Sequence, residues 1–525
     1  MKASKAAGSF RRPILALAFT LLAVSGILAE DGLTLAIGTG GNASITGSTM
    51  APSTGDAGLC LSAGTGLGLA YGSYGEEFSD RGLSLSLEPS LRLVSGATEI
   101  VGSMSAANDG KYGAALADVP GGNTYGFYFL LDEGGIRQHL GPLAIEAGRL
   151  RLKDEVESPY SLFINSLGIS TLTLGISYDD GTFFYRSNWL SLNHDSNGGS
   201  ADFSQAWGAG YPERGATVKT YGLRLGEMSF GFQDSVVYAA RWFDLEYLLS
   251  PLPNYFTQYV RGTGGVPWVT GYDDNEIMGA FWNWKRPGEF SAYVQLLLDD
   301  FGMGELIEGW NRNPWQMAAS LGGRLETAAG SFGIYAAMAT KYTFEPSNAG
   351  LDSDAYGYSY YPETRFSTYW QDAGTTVDSA IAVEDNEIGY KYGENNLAVQ
   401  IDWRGSLGGF DLGGALEFRL AGSNSPANPG HDDSAVLSDG TKWLDEDVLE
   451  KRFILALGLA RSFGPWRFSG VLSTGLALDA LELRASTTTT SGTANDIWIY
   501  SPVSGNTKFI FALRLGVVYS LGWRY

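Results

Sequence analysis

Seven arginines, Arg186, Arg224, Arg404, Arg419, Arg452, Arg514 and Arg524, alternate with apolar residues along runs of β-type sequence. Asp299, Asp402, Asp411 and Glu417 share their parity. Turned inward around a closed sheet, such side chains offer guanidinium donors and carboxylate acceptors to small polar or anionic solutes. Two readings of this wall are open: solute contact, or facing charges that pair across neighbouring strands and brace it. Catalysis has less to build on. The three histidines are His139 in a turn and His194 and His431 in long connections. Asp299 and Asp300 beside His194 or His431 would suit a carboxylate and histidine hydrolase. Adjacent strand residues point to opposite faces, however, and no serine and histidine motif accompanies them, so the reading is non-enzymatic.

Asp352, Asp354 and Glu363 fall at positions 1, 3 and 12 of a calcium loop with Gly357 at position 6. Tyr356 replaces the usual fifth-position ligand, Pro362 precedes Glu363, and helical flanks are missing. A solvated acidic loop is therefore favoured over a metal site. No phosphate loop, zinc spacing or nucleophile elbow stands out, and no cofactor is expected. Trp310, Tyr360, Trp370 and Trp443 lie near amide or carboxylate residues. Flat rings beside such acceptors have the chemistry of sugar contacts.

These residues need a scaffold that alternates faces. Phe509, Phe511, Leu513, Leu515, Val517, Tyr519, Leu521, Trp523 and Tyr525 occupy every second position up to the C-terminus. In a strand that places them on one face. Hairpins with the same alternation recur upstream, among them Leu397 to Trp403 with Phe410 to Leu420, and Phe453 to Phe463 with Trp466 and Phe468. Their turns are short, while the links 193–216, 240–275, 344–394, 421–448 and 480–506 are long. That asymmetry belongs to barrels with tight periplasmic turns and extended outer loops. Aromatic pairs beside the turns (Trp284 and Phe290, Trp403 and Phe410, Phe463 and Trp466) would form an interfacial girdle. Fifteen strands can be counted from about residue 124, and residues 31–118 should add one or three. The expectation is a single all-β, transmembrane, antiparallel up-and-down barrel of about 16–18 strands. Because lipid covers the outward residues, such a barrel needs no apolar core.

Residues 1–29 read as a secretory signal peptide, with Lys2, Lys5, Arg11 and Arg12 ahead of an apolar run and Ala29 at its end. Residues 30–525 would then form the barrel, exported by the general secretion route to the outer membrane of a diderm bacterium. Beyond the leader no run of eighteen apolar residues occurs. Mean hydropathy is −0.06, as alternating strands produce. One cysteine, Cys60, excludes an intramolecular disulfide. Loss of the leader leaves 31 basic against 57 acidic residues, about −26, which argues against nucleic acid as a partner. Arg241 to Val260 is too aromatic for a solvated loop; an inward constriction, a short helix or packing across the barrel mouth would account for it.

The aromatic C-terminus, with Tyr519, Leu521, Trp523 and Tyr525 alternating, resembles the signal read by the barrel-assembly machinery of outer-membrane proteins. The resemblance implies that machinery, periplasmic chaperones and outer-membrane lipid as partners. Three stretches, AGRLRLKDEVESPYSLFIN from Ala147, SAYVQLLLDDF from Ser291 and NEIGYKYGENNLAVQIDW from Asn386, resemble segments of capsule-assembly (Wzi-like) and spirochaete outer-membrane barrels. In the first, a strand-ending Gly-Arg precedes a Ser-Pro-Tyr-Ser outer loop. That family implies an eighteen-stranded barrel that helps retain surface polysaccharide. Two functions are thus open: a porin-like channel or transporter, and a surface polysaccharide binding or retention barrel.

Overall fold

Gly408 and Gly409 adopt φ of 61° and 78° and join strands Asn396–Leu407 and Phe410–Ala421. Two consecutive positive φ values define the hairpin turn whose twist matches that of the flanking strands. Turns of two or three residues recur at 96–97, 141–142, 180–182, 226–227, 287–289, 328–329 and 464–465. All lie on one rim, and every longer connection lies on the other.

The structure is a computed structural model and describes residues 33–37, 43–47, 58–72, 82–108, 123–124, 127–165, 170–193, 214–239, 241–270, 274–299, 315–344, 388–423, 441–490 and 493–524. Eighteen strands among the described residues form one antiparallel ring. Three precede residue 108 (Gly58–Gly72, Gly82–Ser95, Thr98–Ala107) and fifteen follow from Phe127. The sequence alternatives of one or three early strands therefore resolve to three. A two-residue strand, Asn123–Thr124, pairs with Phe127–Leu140 and is not counted among them. The last strand, Lys508–Arg524, pairs with Trp466–Leu478 on one side and Gly58–Gly72 on the other, which closes the sheet. Two further hairpins stand apart from the ring. Leu33–Ile37 with Ala43–Gly47 packs against Phe410–Ala421, Glu450–Phe463 and Trp466–Leu478. Leu481–Thr490 with Thr493–Pro502 extends the long link before the last strand.

Burial along Glu450–Phe463 shows which side is which. Arg452, Ile454, Ala456 and Ala460 are buried, while Phe453 and Leu457 between them are 45% and 47% exposed. A water-soluble sheet would reverse this order; an apolar face left bare on a closed ring is the face that meets hydrocarbon. Of the aromatic pairs expected beside the turns, one makes a ring contact, and a further contact joins Trp466 to the last strand. Trp284 meets Phe290 edge-on at 4.6 Å between ring centroids, and Trp466 lies 4.7 Å from Tyr519.

Two expectations need correction. The barrel does contain an apolar core, built in its lumen from Tyr160, Leu162, Phe163, Ile164, Ile388, Tyr390 and Tyr392 against inward residues such as Phe184, Val218, Ile277 and Phe281. Inward-folded chain, rather than wall residues alone, supplies it. The segment from Arg241 does form short helices, α1 (Leu245–Leu249) and α2 (Asn254–Thr263). It does not turn inward or cross the mouth. Its partners Ser187, Trp189, Thr217, Lys219 and Asp234 share the parity of exposed Leu223, Phe230 and Met228, so it lies on the outer wall.

Candidate functional site

Beyond the strand Leu143–Leu150 the chain leaves the wall, and residues 151–165 fold into the lumen, where Val156, Tyr160, Leu162 and Phe163 are buried. Asp154 is the hub that holds them there. Its Oδ2 accepts the backbone N–H groups of Phe163 and Ile164, both at 3.0 Å, and its Oδ1 accepts the side-chain amides of Gln233 at 3.0 Å and Gln295 at 2.8 Å. Gln295 in turn accepts the Leu162 N–H at 2.9 Å. Burial pushes the Asp154 carboxyl above its ordinary range, and these four donors act against that rise. A single side chain thus ties the loop to itself and to two strands.

The second inward segment, residues 388–395, pairs with the first through Ile164 and Ile388, and the Gly389 N–H donates to the Phe163 carbonyl at 3.1 Å. Both segments end on one wall carboxylate. Tyr160 and Tyr392 donate to the two oxygens of Glu417 at 2.5 and 2.7 Å, and the Lys391 ammonium stands 3.5 Å away. Burial and the Glu417 charge push both phenols well above their ordinary pKa, so they remain donors. Lys391 also sits 4.8 Å from the Tyr160 ring centroid and 4.6 Å from that of Tyr392, a cation-π pair of contacts.

The charges picked out by parity are mostly paired rather than presented to solvent. Arg419 and Arg452 both meet Glu450, Arg452 at 3.3 Å. Asp402 accepts from Arg324 and from Gln400, and Arg404 lies 3.9 Å from it. Asp411 meets Arg467 at 3.4 Å. Arg186 meets Glu155 on the inward loop. Arg224 meets Asp179 at 2.5 Å and covers the Phe184 ring, which packs on Gly222. Asp299 is not a wall residue in function: its Oδ2 accepts the Phe344 N–H at 2.5 Å and ties down a long link. Arg514 is half-buried opposite Val471 on the inner face. Tyr519, Leu521 and Trp523 lie in the closing strand, whereas Tyr525, like Asp352, Asp354 and Glu363, lies outside the described residues. Trp310, Tyr360, Trp370, His194 and His431 also lie outside them. Trp443 donates its indole N–H to the Asn396 carbonyl at 3.2 Å, and its ring remains exposed.

Sequence reasoning missed a charged ladder on the opposite wall. Arg92 donates to Glu99 at 2.7 Å, Arg137 stands 3.6 Å from Glu99, and Arg137 donates to Glu146 at 3.2 Å. Outward neighbours Leu91, Ile100, Ile136 and Ile145 are exposed to the lipid side, so the ladder faces the lumen. Its arginines keep 29% and 28% of their side-chain surface open, comparable to Arg186, Arg224 and Arg404 and unlike Arg419 and Arg452 at 9% each. A register shift between Ser103 and Met104 marks one extra residue in the strand Phe127–Leu140, whose exposed face passes from Phe129 and Leu131 to Ile136 and Leu140; it obscures the side of Arg137, while the strands of Arg92, Glu99 and Glu146 keep their alternation.

No protein-family model and no curated protein sequence matches the chain. Among solved structures it is similar to Wzi of Escherichia coli, described as an outer-membrane protein involved in group 1 capsule assembly and a carbohydrate-binding β-barrel. Identity is 11% over 87% of this chain and 83% of that one, with a TM-score of 0.45. It is also similar to Pseudomonas aeruginosa OccK3 (OpdO), at 11% identity over 89% and 96% of the two chains and a TM-score of 0.43. A third similar structure is Pseudomonas aeruginosa OccK8 (OprE), at 9% identity over 89% and 98% and a TM-score of 0.42.

Proposed function

We propose that this barrel resides in an outer membrane and passes small polar solutes through a lumen narrowed by residues 151–165 and 388–395. The half-open ladder Arg92, Glu99, Arg137 and Glu146 carries the reading, because it lines the lumen face beside the short turns with a polar strip. Each arginine there is matched by a carboxylate. The strip therefore suits hydroxyl-rich and zwitterionic solutes better than anions, since no uncompensated positive field lines it. Insertion by the barrel-assembly machinery, with periplasmic chaperones before it, belongs to the same reading.

Planar-bilayer recording of the refolded chain tests it. Small stepwise conductances with weak preference between anions and cations are expected. A membrane that stays sealed at every voltage overturns the proposal.

A further inference from the structure

Helix α2 is built inside out. Asn254, Thr257, Gln258 and Arg261, spaced i, i+3, i+4 and i+7, form its covered stripe, and all four are polar. Tyr255, Phe256, Tyr259 and Val260 form its exposed stripe. A helix lying in water on a protein surface has the opposite arrangement.

Polar bonds hold the covered side of α2, next to an apolar contact under α1, where Tyr247 and Leu248 pack on Trp189, Val236 and Tyr238. The Asn254 N–H donates to Asp234, and the Asn254 amide donates to the Thr217 carbonyl at 3.1 Å. Lys219 donates to the Leu252 carbonyl at 2.7 Å, and Ser187 to the Leu248 carbonyl at 2.8 Å. Arg261 meets Asp244 at 2.5 Å, and Arg241 meets Asp274 at 2.6 Å. Lys219, Asp234 and Glu276 all point away from the lumen, on the face that is otherwise apolar, and all three are buried beneath this segment. Bare in hydrocarbon, each charge would cost several kcal/mol, so a cover is required. That cover turns its own apolar residues outward: Phe256 is 54% exposed and Trp268 66%, and Leu249, Leu252 and Val266 are exposed with them.

We infer that residues 245–269 form a strap embedded in the acyl chains of the bilayer half next to the long loops. The strap continues the lipid-facing wall over a charged patch that strands alone would leave bare. The occupant is lipid rather than water because the exposed stripe runs on from the apolar wall at Leu223 and Phe230, which is itself 41% and 38% exposed. The inference rests on the membrane-spanning reading but not on conduction.

Three single-cysteine chains in a Cys60→Ser background test it, spin-labelled at Phe256→Cys, Leu223→Cys and Glu289→Cys and refolded in phosphatidylcholine vesicles. Collisions with oxygen report lipid, and collisions with a water-soluble nickel chelate report water. Position 223 on the bare wall is the lipid reference and position 289, in a turn, the aqueous one. The expected result is an oxygen-to-nickel ratio at 256 severalfold above that at 289 and close to that at 223. A ratio at 256 matching 289 overturns the strap while leaving the barrel. An aqueous ratio at 223 overturns the membrane reading itself. Low access to both reagents at 256, with dipolar broadening between labels, would assign the stripe to a second copy and also overturn the inference. If Phe256→Cys does not refold, Tyr259→Cys on the same stripe replaces it.

Discussion

The Tyr160 hydroxyl reaches Glu417 at 2.5 Å across 257 positions of sequence, and with Tyr392 it leaves that buried carboxylate with a phenol on each oxygen. The contact joins an outer connection to the wall opposite it, so the loop is fastened at its tip as well as at Asp154. Tyr160→Phe removes one donor to a buried charge, which costs about 1.5–3 kcal/mol. The urea midpoint of the refolded barrel should fall accordingly; an unchanged midpoint would mean that the phenol carries no load.

The strap makes a pH prediction. Burial alone would raise the Asp244 carboxyl, but hydrogen bonds from Arg261 and Arg241 outweigh it and hold the group below its ordinary 3.8. A depressed folded pKa means that this stabilisation is complete above 3.8 and is lost as pH falls through the lower folded value. A label at position 256 should therefore gain mobility only in that acid range. In Asp244→Asn the mobility should be raised already at neutral pH and flat below it; a wild-type acid response retained in the variant would contradict the assignment.

Lys219 supplies the one positive charge opposite Asp234 in the strand register. Lys219→Met leaves two carboxylates under the strap without it, and removing one partner of a buried ionic group costs about 3–5 kcal/mol. Adding Asp234→Asn should recover part of the loss. Unfolding curves of the single and double variants measure this, and a double variant no better than the single would count against ionic coupling there.

Arg137 balances both Glu99 and Glu146 in the open ladder. Arg137→Gln leaves the strip net acidic, so the reversal potential in a salt gradient should move toward cation preference. No movement would place the ladder outside the conducting path.

The ring of strands was legible because lipid imposes a strict period of two on residues such as Phe453, Leu455, Leu457 and Leu459. The paired wall was legible as one of two readings, since facing Arg and Glu parity can be counted without knowing the register. The inward loop was not. Tyr160, Ser161 and Leu162 carry no periodicity, and Glu417 and Gln295, the partners of Tyr160 and Leu162, lie far along the chain. Arg241 to Val260 announced burial through its rings but not its side of the wall. The signal that could have decided it was the polar spacing of Asn254, Thr257, Gln258 and Arg261, which only an inverted environment explains. In the ladder only Arg137 was hidden by a bulge, because one extra residue exchanges the faces within its own strand; Arg92, Glu99 and Glu146 follow the alternation of theirs.

The claim that most of this depends on is that residues 151–165, fastened by Asp154, set the aperture of a conducting barrel. Asp154→Asn places an amide N–H against groups that are themselves donors, which should release the loop without touching the wall. Single-channel recordings of wild type and Asp154→Asn in the same bilayer test it. The account predicts small steps for wild type and larger, noisier ones for the variant; identical steps in the two chains would contradict it.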